Sequence, residues 1–154
     1  MNLVIIDYGS GNLRSVENAF KNSIKVNKLK FTIEVTNKLK VISQADHLVL
    51  PGVGSFPDCK KGLKEILGLV DLLTNEVIYK RKKFLGICVG MQLMADYSLE
   101  KRRTSGFGWL SGNFKKIKTN HLDYLGRNYK IPHMGWNNLQ IKNKNHPVLE
   151  NISE

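Results

Sequence analysis

The sequence predicts an α/β protein: a doubly wound, mostly parallel sheet with helices on both faces and an antiparallel extension. Three observations predict it. Residues 3–7, LVIID, are an unbroken apolar run closing on an acid, as in a parallel strand buried on both faces. Leu13, Val16, Phe20 and Ile24 then recur at three- and four-residue steps, which is one apolar stripe of a helix. After about residue 100 this alternation of strand and helix gives way to short glycine-punctuated segments of partly alternating polarity.

Taken in order, LVIID is the first strand, YGSGN the turn after it, and Asn12 or Ser10 the N-cap of the first helix. FTIEVT 31–36 alternates and HLVL 47–50 is a short apolar run stopping at Pro51, so both read as strands. Leu63, Ile66, Leu67 and Val70 form a second helical stripe, extended by Leu72, Leu73, Val77 and Ile78 toward the basic KRKK 80–83. FLGIC 84–88 returns as a strand, and a third helix is expected from Met91 to about Tyr97. GWLSGNFKKIKT and HMGWNNLQI then read as antiparallel strands.

At 154 residues the chain is expected to form a single domain, 1–154, with one core. No apolar run approaches the roughly 20 residues of a membrane span, and the start lacks a signal-peptide pattern, so a cytoplasmic location is expected. Cys59 and Cys88 form no C-x-x-C pair, and His47, His121, His133 and His146 have no zinc spacing, so neither a metal nor another cofactor is indicated. The net charge of +11 comes mainly from lysines scattered along the chain. That pattern suits a solvated surface, and no RNP, KH, zinc-finger or helix-turn-helix pattern points to nucleic acid.

Three glycine-rich turns follow three predicted strands, where open α/β sheets gather their ligands. GSGNLR has Arg14 where a dinucleotide fingerprint needs its third glycine, and GVGSFPDCKKG lacks the P-loop spacing. GICVG 86–90 is more informative. G-x-C-x-G between a strand and a helix is the cysteine counterpart of the G-x-S-x-G elbow, a sharp turn that lifts a nucleophile out of the sheet. The helix start behind it favours a thiolate, which matters because an unassisted thiol, with pKa near 8.5, is only a few per cent ionised at neutral pH. A lone cysteine is more often a small buried hydrophobe, and that is the reading for Cys59. PGVGSF 51–56 offers the second requirement of acyl transfer, backbone N–H groups for a developing oxyanion; its two glycines permit a peptide reorientation.

IDYGSGNLRSV 6–16, LPGVGSF 50–56, FLGICVGMQLM 84–94 and PHMGWN 132–137 together resemble the class I glutamine amidotransferases, in family order and over essentially the whole chain. Among them the sequence is similar to the glutaminase subunits that feed a TIM-barrel cyclase in histidine biosynthesis. The resemblance implies that Cys88 attacks the carboxamide of glutamine. Backbone groups of Gly52, Val53, Gly54 and Val89 would form the oxyanion hole, with Gly52 and Gln92 binding the glutamine. Asn12, Met134 and Trp136 would meet the cyclase subunit in a heterodimer, although a helix cap and core packing are their plainer roles.

In the family, a histidine and a glutamate two residues after it complete the triad beyond the position of Glu154. The resemblance therefore implies a domain incomplete at its C-terminus, with an exposed sheet edge, poor solubility and little or no activity of this form alone. No histidine of this sequence is assigned to catalysis. Two alternatives stay open: a fold-retaining binding module, and a paralogue that supplies ammonia to a different synthase.

Overall fold

The computed structural model describes residues 1–117, 126, 135, 136, 138, 140–142 and 146–150. The chain divides into two compact units, Met1–Lys116 and Ile117–Glu154. In the second unit a 3₁₀ turn, Pro147–Leu149, is described, with the His146 ring accepting from the Val148 N–H at 3.2 Å.

In the first unit, β1 (Asn2–Ile6), β2 (Thr32–Thr36), β3 (His47–Gly52) and β4 (Lys83–Cys88) pair in parallel, in the order β2-β1-β3-β4. The apolar runs of β1 and β3 end up at the centre because these strands are covered on both faces, while the edge strands β2 and β4 alternate in exposure. Leu3 and Ile5 with Val49 pack against Leu13, Val16 and Phe20 of α1 (Leu13–Val26). Their neighbours Val4, Ile6, Leu48 and Leu50 point the other way. They meet Ile42 of α2 (Leu39–Gln44), Phe56 and Leu63 of α3 (Phe56–Glu65), and Leu69 and Leu73 of α4 (Leu69–Thr74). Each fully buried side chain of this size contributes roughly 1.5–3 kcal/mol, so the second cluster holds the sheet to its helices.

Helix α1 starts where its stripe predicts: the Asn12 side chain accepts from the Ser15 N–H at 3.3 Å, which makes Asn12 rather than Ser10 the N-cap. The long stripe after residue 56 is broken. α3 stops at Glu65, and Gly68 at φ 80° starts α4, which runs into a π-helical segment, Asn75–Tyr79. The six-residue α2 is too short to show a helical period in sequence.

The third helix differs more. After Cys88 there is only the one-turn α5 (Val89–Gln92), and Ala95–Ser98 is a strand, β5. It pairs antiparallel with β6 (Thr104–Ser105) and parallel with β7 (Leu110–Phe114) in a second sheet, order β6-β5-β7. Pairing with these later strands, with Ala95 and Ser98 buried, overrides the local helical pattern. Within the segment GWLSGNFKKIKT, Leu110–Phe114 is a strand as expected, but parallel to its partner β5. The strand expected over HMGWNNLQI lies largely outside the described residues.

The π-helical segment carries one buried acid. Glu76 is 1% exposed and meets the Nζ atoms of Lys80 and Lys82, each at 2.7 Å. Lys82, itself nearly buried, also donates to the Ser43 carbonyl at 2.8 Å, tying this segment to α2. Burial pushes the Glu76 carboxyl up, but the hydrogen bonds and charges of the two lysines outweigh it and hold it below its ordinary 4.5. A carboxyl depressed on folding contributes stability that is complete above its unfolded pKa and lost as pH falls through the folded one. Glu76→Gln is expected to cost about 3–5 kcal/mol at neutral pH by leaving Lys82 without a counter-charge. It is also expected to flatten the loss of stability below about pH 4.5, as read by urea unfolding at a series of pH values.

Candidate active site

β1 and β3 are neighbours whose following connections leave on opposite faces, α1 on one and α3 on the other. This is the switch point where an open sheet leaves room at its carboxyl edge. β4 ends beside it, with Cys88 opposite Gly52 in the register. At Cys88 the chain turns from strand into α5 with φ 54° and ψ −115°, a combination that costs a non-glycine residue about 1–3 kcal/mol. The side chain is exposed in consequence. Gly90 is required by space: a Cβ there would lie 1.9 Å from the Leu50 carbonyl oxygen. A Cβ on Gly86 would lie 2.6 Å from Met91 Cα, so the glycines on both sides of Cys88 let α5 lie directly on the strand ends.

The 52–54 turn faces this elbow. A Cβ on Gly52 would lie 2.6 Å from the Gly90 nitrogen and 3.0 Å from the Tyr8 hydroxyl, so the backbones are in close contact there. Val53 is exposed and its peptide is held by the turn after β1. Ser10 Oγ accepts from the Val53 N–H at 3.2 Å and donates to the Val53 carbonyl at 2.7 Å. The buried Cys59 thiol, on α3, donates to the same carbonyl at 3.4 Å and lies 3.4 Å from Ser10 Oγ. Below the turn, the buried Tyr8 hydroxyl donates to the Pro51 carbonyl at 2.8 Å. Burial first, and then the Cys59 thiol beside it, push this hydroxyl well above its ordinary value, so it remains a donor. Downstream, Ser55 caps α3, and the Glu100 carboxylate accepts from the Phe56 N–H at 2.7 Å.

Cys88, Val89, Gly52, Val53 and Gly54 are therefore gathered at one end of the sheet. Gln92 is the last residue of α5, half-buried and one helical turn beyond Cys88. Asn12 is exposed at the start of α1, where its side chain also serves as the cap. Trp136 belongs to the second unit and is fully exposed, and Met134 lies outside the described residues. Within Met1–Lys116 His47 is the only histidine. It pairs with Lys83 at the opposite end of β3 and β4, five residues from the Gly52–Cys88 pair, or about 16 Å at strand rise. His47 is thus no base for Cys88.

Tyr8 and Glu100 were not singled out by sequence reasoning, and Ser10 was read only as an alternative helix cap. Ser10 alone left a signal: a hydroxyl in the first turn that a cap at Asn12 leaves unused. Among the described residues, no helix is long and apolar enough to cross a membrane.

A strained cysteine at the carboxyl end of a parallel sheet, facing a glycine turn, is an acyl-transfer arrangement. The model of the family "Glutamine amidotransferase class-I" matches residues 4–154, and the chain belongs to this family. It is 41% identical over 152 residues to "Imidazole glycerol phosphate synthase subunit HisH" of Brucella suis. Identity to proteins of the same name from Pelagibacter ubique and Rhodopseudomonas palustris is 44% and 45%. These alignments cover 99% of this chain and 68–69% of the relatives.

Proposed function

We propose that this chain is the glutaminase component of a two-part synthase that makes imidazole glycerol phosphate in histidine biosynthesis. It would be a cytoplasmic heterodimer with a TIM-barrel cyclase. The observation that carries the glutaminase reading is the backbone of Cys88, a nucleophile elbow in φ and ψ as well as in sequence. Support for the pathway comes from the name shared by relatives 41–45% identical over nearly the whole chain. The family match runs from residue 4 to 154 without interruption, which supports reading both units as parts of one amidotransferase domain.

In this mechanism the Cys88 thiolate adds to the carboxamide carbon of glutamine, with Gln92 and Gly52 holding the substrate. Negative charge develops on the former carbonyl oxygen, within reach of the N–H groups of Val89 and of the 52–54 turn. Val89 N–H is at the first position of α5 and has no partner inside that helix. The intermediate collapses by breaking the C–N bond, and the nitrogen leaves as ammonia after gaining a proton. Water then attacks the thioester carbon, releasing glutamate and the thiol. The general base comes from outside Met1–Lys116, since His47 stands at the wrong end of the strands. Ammonia passes to the cyclase, which Asn12, Met134 and Trp136 contact.

The Ser10 hydroxyl sets a condition on this scheme, because the Val53 N–H that would serve the oxyanion is bonded to Ser10 Oγ. Val53 must turn its peptide before it can contribute. Ser10→Ala removes the competing acceptor, whose net worth is about 0.5–1.5 kcal/mol. The expected result is a several-fold faster reaction of Cys88 with a chloroketone analogue of glutamine, at a stability lower by about 0.5–1.5 kcal/mol. A rate equal to or below that of the parent chain would mean that Ser10 does not restrain the turn.

A further inference from the structure

Helix α3 carries Lys60, Lys61 and Lys64. Together with Arg102 and Thr104 of the β5–β6 segment, these residues line a cavity of about 320 Å³ in which four cations face one carboxylate, Glu65. Glu65 sits 3.7 Å from Lys61. Among the described residues, Lys60, Lys64 and Arg102 form no ion pair with a carboxylate. Lys60 is only 7% exposed. Its ammonium donates to the Gly106 carbonyl at 2.8 Å and stands 4.6 Å over the Phe107 ring, and neither contact neutralises its charge.

This arrangement is unfavourable for the chain by itself. Lys60 and Lys64 are four residues apart on one helix face, where like charges repel, and a buried cation ordinarily has a counter-charge. Burial and then the Lys64 charge push the Lys60 ammonium down to about 8. An anion in the cavity would remove the cost. Arg102 offers a planar fork suited to two oxygens of one phosphoryl group, and the lysines add point charges around it. The volume is that of a small-molecule pocket, larger than a single halide or carboxylate requires.

We infer that this cavity binds a small phosphate-bearing anion, with Arg102 and Lys64 taking its oxygens and Lys60 supplying charge from the wall. The site is distinct from Cys88 and does not depend on the glutaminase reading.

Calorimetric titration of inorganic pyrophosphate into the full chain at low ionic strength tests it. Saturable one-to-one binding is expected, weakened at least about tenfold in Lys64→Gln/Arg102→Gln. Lys25→Gln/Lys115→Gln removes the same charge from exposed positions elsewhere and is expected to bind as the parent does. Absence of saturation by about 10 mM pyrophosphate would overturn the inference. So would equal weakening in both variants, which would assign binding to the net charge of the chain. Binding of citrate as tight as that of pyrophosphate would overturn the phosphate class.

Discussion

Cys88→Gly is expected to lose glutamine hydrolysis and to gain stability. The two effects have one origin. At φ 54° and ψ −115° the cysteine backbone lies where a Cβ is strained and glycine is not. Removing the side chain relieves about 1 kcal/mol of strain, and the folded state becomes that much harder to unfold in urea. Removing the thiol takes away the only group that can form the thioester. Glutamine turnover in the proposed complex with a cyclase is expected to fall about 10⁴–10⁶-fold, the range for loss of one member of a catalytic triad. A variant that is inactive and less stable than the parent would show that the elbow carries no strain. One that stays active would remove Cys88 from the mechanism.

Gly90→Ala is expected to have the opposite effect on stability and an equally large one on the site. The added Cβ would lie 1.9 Å from the Leu50 oxygen and 2.8 Å from its carbonyl carbon. Both are backbone atoms of a buried strand, so no rotamer change relieves the clash. Either α5 lifts off the sheet or β3 shifts, at a cost of about 3 kcal/mol or more. Because Gly52 and Val89 belong to the same contact, the elbow and the turn separate together, and reaction at Cys88 is expected to slow with the loss of stability. Gly135 is the control. Among the described residues nothing lies within 4 Å of a Cβ built there, so Gly135→Ala is expected to change stability by no more than about 0.5 kcal/mol.

The central strands β1 and β3 were legible in sequence because burial on both faces leaves a contiguous apolar run, Leu3–Ile6 and Leu48–Leu50, whereas the edge strand β2 was legible by its alternation. The elbow was legible for a related reason. Gly86 and Gly90 are required by backbone atoms less than 3 Å away, so their spacing around Cys88 records the packing directly. Local pattern failed where distant partners decide. Ala95–Ser98 continues a helical spacing, yet its hydrogen bonds go to Thr104–Ser105 and to Leu110–Phe114. The boundary at Gly68 was hidden inside a stripe that is apolar on both sides of it.

The same limit applied to the site. Cys88, the 52–54 turn and Gln92 were read from motifs, and the fold brings them to one end of the sheet. That Ser10 holds both the N–H and the carbonyl of Val53 is a tertiary fact, since the two residues are 43 positions apart. The burial of Lys60 against the Phe107 ring is likewise invisible in a sequence where lysines occur throughout.

The central claim is that Cys88 is a nucleophile presented to glutamine while Cys59 is a buried structural thiol. The most direct measurement is peptide mass spectrometry after treatment with the chloroketone analogue of glutamine. The expected result is a single adduct on Cys88, suppressed by excess glutamine, with Cys59 unmodified. Equal labelling of both cysteines, or labelling of Cys88 that glutamine does not suppress, would contradict it.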